Sequence, residues 1–445
     1  MPRVAFHTLG CKLNFAETNT VQRTFEERAF TVVPFGEAAD VAVVNTCTVT
    51  AEADRKCRQM IRRALRANPD AFVVVTGCYA QLRPEDLAAI EGVDVVLGAH
   101  EKFRLFDLID SFEKCEQTQV AVSCIDEVTE FGPAFSSNER TRAFLKVQDG
   151  CDYTCAFCTI PLARGKSRSA PLDQILAQAR TLAAKGFKEI VLSGVNIGLY
   201  GQGAHDAVRE TSLLDLLRAL ETVDGIERYR ISSIEPNLLT DEIIDFVAES
   251  EVFQPHFHIP LQSGDDAVLG TMRRRYRRHV YADRVAHILH RMPDACIGVD
   301  VIVGFPTETA ERFENTYCFL HELPVTYLHA FTYSERPNTV AVDQLDQMGG
   351  VPVPKPERSR RNRMLRILSQ KKQHAFYQLH LGDTRPVLWE STEHDGVMYG
   401  FTDNYIKMQR PYDEARVGTI EAVRLGSMAD DGTVLAEDAA FVSLI

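Results

Sequence analysis

Several protein classes are excluded by what this chain lacks. No run approaches the ~18 consecutive apolar residues of a membrane-crossing helix, so no membrane span is expected. The amino terminus, Met1-Pro-Arg-Val-Ala-Phe6, passes at once into a strand-like pattern without a long apolar segment or a small-residue cleavage site. No signal peptide is therefore expected, and the cytoplasm is the expected location. Positive charge is in deficit: 49 Lys and Arg face 62 Asp and Glu, a formal net charge of −13, which is not the balance of a protein that coats nucleic acid over its whole surface. Cysteine, at 11, is too sparse and odd in number for a disulfide scaffold, which leaves metal binding as the better use of the thiols. At 445 residues the chain exceeds one ordinary core and suits two or three domains.

The cysteines fall into patterns. Cys151-Asp-Tyr-Thr-Cys155-Ala-Phe-Cys158 places three thiols in one loop directly after the strand-like run Arg142-Ala-Phe-Leu-Lys-Val147. Three thiolates can hold three irons of a cubane and leave the fourth open, whereas a structural zinc wants four regularly spaced ligands, and no CxxC or HxxxH partner follows soon after. The spacing alone shows a three-thiolate metal site. Ahead of it, Cys11, Cys47 and Cys78 each follow a short apolar strand (VAFHTLG, VAVVNT, FVVVTG) in a βα alternation with strands near 4–9, 41–46, 72–77 and 93–97. Such alternation predicts a doubly wound parallel sheet, whose strand carboxyl ends are where open α/β sheets build sites. Cys57, Cys115, Cys124, Cys296 and Cys318 lack ligand-like spacing and read as buried or incidental thiols.

The later loop resembles the hallmark CxxxCxxC of the radical S-adenosylmethionine superfamily, with Phe157 as the aromatic before the last cysteine. LGCKLN, NTCTVT and GCYAQ are similar to the three amino-terminal cysteine motifs of its methylthiotransferase family. The resemblance implies two 4Fe-4S clusters, one on Cys151, Cys155 and Cys158 that binds S-adenosylmethionine, and an auxiliary one on Cys11, Cys47 and Cys78 that carries the sulfur. It further implies cofactor contacts at Gly194 and Asn196 in Ser193-Gly-Val-Asn-Ile-Gly-Leu-Tyr200, at Ser232 and Glu235 in Ser232-Ser-Ile-Glu235-Pro, at Gln262, and at Gly304, Phe305 and Pro306 in Val303-Gly-Phe-Pro-Thr-Glu308. Taken as residues, the Gly194 loop is equally a tight βα turn. Arg164, in the run PLARGKSRS that matches the family, suits a carboxylate, a phosphate or a structural salt bridge.

Six strands expected between residues 143 and 332, with helices between them, suit a partial (β/α)6 barrel with its chemistry at the strand carboxyl ends. A basic helix over 357–379, with Met364, Ile367, Leu368 and Ala375 expected inward, leads to short strands that predict a small all-β barrel resembling the TRAM domain. The fold class is therefore α/β. The expected divisions are a sheet domain at 1–112, a linker at 113–141, the radical core at 142–356, a connecting helix at 357–378 and the barrel at 379–445.

Three basic clusters, Arg55 to Arg66, Arg273 to Arg278 and Lys355 to Lys372, are solvated faces or parts of an RNA path. Arg360, Arg361 and Arg363 are the expected phosphate contacts on the helix; Tyr405 and Lys407 are the expected barrel contacts, with core packing as the other reading of the aromatics.

The motifs look closest to the branch that converts N6-threonylcarbamoyladenosine in tRNA to its 2-methylthio form. The family's other substrates are N6-isopentenyladenosine in tRNA and an aspartate of a ribosomal protein. A non-catalytic iron–sulfur RNA-binding protein would have no need of the Gly194 and Gly304 loops. Implied partners are tRNA, an external electron donor such as flavodoxin or ferredoxin, and a sulfur source.

Overall fold

The computed structural model describes residues 1–136, 141–202 and 211–437. Residues 137–140 of the expected linker and 438–445 of the expected barrel lie outside the described residues.

The first layer is a six-stranded sheet of β1 (Arg3–Thr8), β2 (Thr31–Val33), β3 (Val41–Thr46), β4 (Phe72–Gly77), β5 (Val95–Leu97) and β6 (Gln119–Ala121). Its order is β2-β1-β3-β4-β5-β6 and every pairing is parallel. β3 and β4 are buried at every residue, as near-continuous valine runs require when both faces are covered by helices. Val73 and Val75 face a cluster with Cys57 and Ile61 of the helix Ala51–Ala67, while Phe72 and Val74 face Val21 and Phe25 of the helix Lys12–Glu26. β2 and β6 are absent from the sequence reading. Each is a three-residue edge strand, too short to show a period, and β6 falls within the stretch expected to be a linker.

The central unit begins with β7 (Arg142–Lys146) and a two-residue ladder of β8 (Gln148–Asp149) with β9 (Arg168–Ser169). β10 (Glu189–Ser193), β11 (Arg228–Ile231), β12 (His256–Gln262), β13 (Cys296–Val303) and β14 (Tyr327–Thr332) follow. They form two parallel sheets, β11-β10-β7 and β12-β13-β14. A bridge between Tyr229 and Phe253, and the Ile234 amide donating to the His258 carbonyl at 3.0 Å, join the two into one arc.

The helix Lys355–Leu379 covers the free edge of β14: Asn362 donates to the Ala330 carbonyl at 2.7 Å, and the Leu328 amide donates to Ser369 Oγ at 2.8 Å. Its buried stripe is Arg358, Arg361, Leu365 and Leu368. Of the expected stripe, Leu368 is buried and Met364 is half-buried against the core, but Ile367 and Ala375 do not face inward. Ile367 is 47% exposed, and Ala375 is exposed as well, because the inward face opens with two arginines that an apolar pattern does not register.

β15 (Thr384–His394), β16 (Val397–Thr402), β17 (Lys407–Pro411), β18 (Ile420–Met428) and β19 (Val434–Glu437) close a barrel in the order β15-β16-β17-β19-β18 around Trp389. Asp395 and Gly396, both at positive φ, make the two-residue turn between β15 and β16. The barrel seals the foot of the central arc. Arg228 donates to the carbonyls of Phe401 and Pro386 at 3.0 and 2.7 Å, and Arg230 to those of Asp403 and Thr402 at 2.8 Å each.

Candidate active site

Cys11, Cys47 and Cys78 stand just past β1, β3 and β4, three adjacent strands, so the sheet brings them to one edge. Gly10, at φ +107°, lets the first loop press on the second: a Cβ there would lie 3.1 Å from Cys47 Sγ. Asn14 donates to the carbonyls of Leu9 and Thr46 at 2.8 and 3.0 Å, fixing the two loops together. Burial, with Cys78 and Cys11 as neighbours, pushes the Cys47 thiol up to about 12, and burial raises Cys78 as well. Neutral thiols must then release protons when metal binds. Cys57, buried as expected, also brackets Cys47: its sulfur accepts from the Cys47 amide and donates to the Cys47 carbonyl, each at 3.4 Å.

The second group lies between β8 and the helix Ile160–Arg164. Cys151 Sγ accepts from the Tyr153 amide at 3.4 Å and from Asn196 at 3.8 Å; Cys155 Sγ accepts from Arg274 at 3.1 Å. Burial, then the neighbouring Cys155, pushes Cys158 up to about 12. Arg274 also grips Glu235. That pairing takes Arg274 out of the expected RNA path and commits the carboxylate expected to face cofactor. Phe157 meets Phe305 edge-on at 6.4 Å, and with Ala156, Ile302 and Tyr333 they form an apolar wall. Gly304, at φ +80°, admits Arg358, whose Cγ would lie 2.3 Å from a Cβ there, and its amide donates to Glu308 at 2.8 Å. Pro306 is buried on the same turn.

Asn196 Oδ1, beside Cys151, and Ser232 Oγ and Gln262 Oε1, at the carboxyl ends of β11 and β12, are buried without a hydrogen-bond partner among the described residues. Gly194 precedes Asn196, whose amide is held by Gln148 at 2.9 Å, and Gln262 sits at φ +67° on a bulge of β12. Orphaned acceptors cost free energy unless something completes them, so these three fit a polar ligand such as the methionyl or ribose portion of S-adenosylmethionine.

Two arginines join the cysteine groups across domains. Arg164, on the helix after Cys158, donates to Glu17 at 2.9 and 3.1 Å, to Asp149 at 2.9 Å and to Asn14 at 2.6 Å, all buried. Of the roles open to it, the carboxylate pair is the one observed. Lys102, Lys146 and Arg168 complete the group, so that four cations enclose Glu17 and Asp149 beside Cys78. Such an excess of positive charge fits an anionic cluster on three thiolates. Arg336, which the sequence reading missed, reaches from beyond β14 to Thr48 at 2.6 Å and Asp54 at 2.8 Å, next to Cys47.

Two of the expected RNA contacts, Arg361 and Tyr405, need correction. Arg361 is buried, paired with Glu308 at 2.6 Å and Glu357 at 2.8 Å. Arg360 is exposed but holds Glu357, and Arg363 is exposed. Tyr405 faces inward, stacked on His256 at 4.0 Å and Phe401 at 4.7 Å, so it fills the foot of the arc. Lys407 lies over Tyr399 at 3.9 Å on the barrel.

Known proteins agree with this architecture. The model of the Uncharacterized protein family UPF0004 matches residues 3–98, and that of the Radical SAM superfamily matches 145–320. Threonylcarbamoyladenosine tRNA methylthiotransferase MtaB of Bacillus subtilis is 40% identical over 436 residues, covering 96% of this chain and 94% of that protein. The chain belongs to the radical S-adenosylmethionine methylthiotransferase family. The MtaB of Aquifex aeolicus is also 40% identical, covering 92% and 96% of the two chains. A tRNA-2-methylthio-N(6)-dimethylallyladenosine synthase of Syntrophotalea carbinolica is 32% identical, covering 89% and 90%. Among solved structures, the radical S-adenosylmethionine methyltransferase TsrM of Kitasatospora setae aligns with a TM-score of 0.55 at 16% identity over 80% of each chain, a likeness of fold alone. No described helix of this methylthiotransferase is long and apolar enough to cross a membrane.

Proposed function

We propose that the protein adds a methylthio group to C2 of N6-threonylcarbamoyladenosine at position 37 of tRNA, working in the cytoplasm. The observation that carries the reading is two three-thiol groups clamped together by Arg164 and Arg336, in a chain that aligns over 96% of its length with a methylthiotransferase of that named substrate. Cys151, Cys155 and Cys158 would hold the 4Fe-4S cluster that engages S-adenosylmethionine, and Cys11, Cys47 and Cys78 the auxiliary one. When bound, these groups supply the radical that activates the adenine carbon and the sulfur that joins it.

The chain's own residues prepare the ground. Arg274 donates to Cys155 Sγ and so stabilises negative charge on that sulfur. Phe157, Phe305 and Ile302 keep water from one wall, which protects a reactive radical. Asn196, Ser232 and Gln262 offer the unfilled polar atoms that would orient the cofactor. Arg164 and Arg336 fix the sulfur-bearing loops against the radical-forming loop, and fixed proximity is worth more than any single contact. An external one-electron donor and a source of sulfur complete the reaction.

Nucleoside mass spectrometry tests the reading. A deletion strain should lose 2-methylthio-N6-threonylcarbamoyladenosine and accumulate its precursor, and the purified enzyme with reductant, S-adenosylmethionine and that tRNA should restore it. A strain that instead loses the dimethylallyl derivative would refute the assignment.

A further inference from the structure

The helix Lys12–Glu26 covers only half of the central arc. Its Phe15 and Ala16 pack on Phe144 of β7 and Val191 of β10. The inner faces of β13 and β14 stay open: Asp300 is less buried than Val299 and Val301, and His329 and Phe331 are exposed on either side of a half-buried Ala330. Ile302, next along the face, belongs to the apolar wall beside Phe157, so this open region adjoins the cofactor site.

On that face His258, Asp300 and His329 each bring a ring nitrogen or carboxylate oxygen within 4.8 Å of the others. They are not an open metal set. His258 has both nitrogens engaged, Nδ1 with Ser233 Oγ at 2.9 Å and Nε2 with Asp300 at 2.8 Å. His329, in contrast, has no hydrogen-bond or ion-pair partner among the described residues. The same holds for Lys12, the residue after Cys11, whose ammonium is an electrostatic neighbour of His329 and His256. The nearby arginines are already matched, Arg142 to Glu390 at 2.9 Å and Arg230 to Glu189 at 2.9 Å. Lys12 is therefore a solvent-exposed cation with no ion-pair partner among the described residues.

We propose that Lys12 and His329 form the receptor for the N6 substituent of the target adenosine, Lys12 pairing with its carboxylate and His329 hydrogen-bonding its hydroxyl or urea. The proposal rests on the functional reading above and names the side chains that choose the substrate. A threonylcarbamoyl group carries the anion that Lys12 lacks. A dimethylallyl group carries none, and would leave an ammonium and an imidazole facing hydrocarbon, which a site built for polar groups rejects. Phe331, 49% exposed two residues beyond His329, offers a ring on which the base can stack.

The test uses holoenzyme and one tRNA carrying threonylcarbamoyladenosine, its methyl ester or dimethylallyladenosine at position 37. Methylthio transfer to each is followed by mass spectrometry, with iron content and tRNA-independent 5′-deoxyadenosine formation as checks of the clusters. The parent enzyme should prefer the acid to the ester by about 10- to 100-fold, the range of a charge-assisted hydrogen bond. In Lys12→Met that ratio should collapse to within about threefold, through a lower rate on the acid and not on the ester, because the lost interaction is one only the acid can make. Should Lys12→Met lose iron through its neighbour Cys11, His329→Leu, which lies on β14 and is remote in sequence from every cysteine of the two groups, decides by its selectivity against dimethylallyladenosine. Unchanged selectivity in an iron-replete Lys12→Met, or in His329→Leu where that variant decides, overturns the proposal while leaving the function intact. A parent enzyme that modifies only dimethylallyladenosine overturns both.

Discussion

Glu17 is the carboxylate on which the two halves of the site turn, and Glu17→Gln measures what that is worth. Its side chain is wholly buried and accepts from Lys102, Lys146 and Arg164, the first from the sheet domain and the other two from the central unit. The substitution keeps the volume and deletes the charge, leaving the four cations of the group with Asp149 as their one carboxylate. Breaking a buried pair from one side costs about 3–5 kcal/mol, because the surviving charges stay desolvated. For a unit of this size that corresponds to a fall in melting temperature on the order of 10 °C. Burial alone would push the Glu17 carboxyl up, but Arg164, Lys102 and Lys146 together hold it well below its usual 4.5. A depressed carboxyl contributes stability that is fully present above the unfolded value and is lost as pH falls toward the folded one. The gap between parent and variant in a thermal scan should therefore be constant from about pH 8 to 5.5, well above the unfolded carboxyl value. Adding Lys102→Met should recover part of it, since that removes one stranded cation. A gap under about 1 kcal/mol, the range of an exposed pair, or one that already shrinks between pH 8 and 5.5, would show that Glu17 is not the clamp described.

Replacing Cys151, Cys155 and Cys158 together with alanine should leave about four irons per chain and abolish 5′-deoxyadenosine formation, since three cysteines hold each cubane; loss of all iron in quantitative assay would refute two separate sites. Arg361→Gln should destabilise the fold by about 3–5 kcal/mol in denaturant titration by stranding buried Glu308, and an unaltered midpoint would contradict the ion pair. Arg360→Gln with Arg363→Gln should fold normally and flatten the slope of log tRNA affinity against log salt by about 1.5 if both touch phosphate; an unchanged slope removes that helix from the RNA path. Truncation after residue 378 should impair cofactor cleavage as well as tRNA binding, because Arg228 and Arg230 lose their carbonyl acceptors; full cleavage activity would show that the barrel is dispensable to the core.

Ligand chemistry is legible in sequence because it demands a residue type at a place. Cys11, Cys47 and Cys78 declare themselves by ending successive strands, and the sheet order then makes them neighbours. The arginines do not. Arg164 meets Glu17 across 147 residues and Arg336 meets Asp54 across 282, and no local pattern connects such partners. Arg274 and Arg361 look like RNA contacts in a basic run for the same reason: charge density is visible along the chain, but a buried acid at the end of each side chain is not. Tyr405 was open to two readings, and only the packing on His256 decides for the inward one. Cys57 has no motif because its role is to hydrogen-bond the backbone of Cys47, a task that spacing does not encode.

A common logic connects these buried arginines. Apolar packing is non-directional, and an interface made of it alone tolerates sliding. Radical transfer to a chosen carbon does not, since a misplacement of about 1 Å costs on the order of a hundredfold. Each junction between the units is accordingly set by a planar guanidinium with several fixed acceptors: Arg164 at the first cysteine helix, Arg336 at the Cys47 loop, and Arg228 with Arg230 at the carboxy-terminal barrel. Buried ion pairs are weak sources of stability compared with apolar side chains of equal volume. Their value here lies in register, since the same side chains that cost desolvation hold the parallel sheet, the central arc and the barrel in one arrangement.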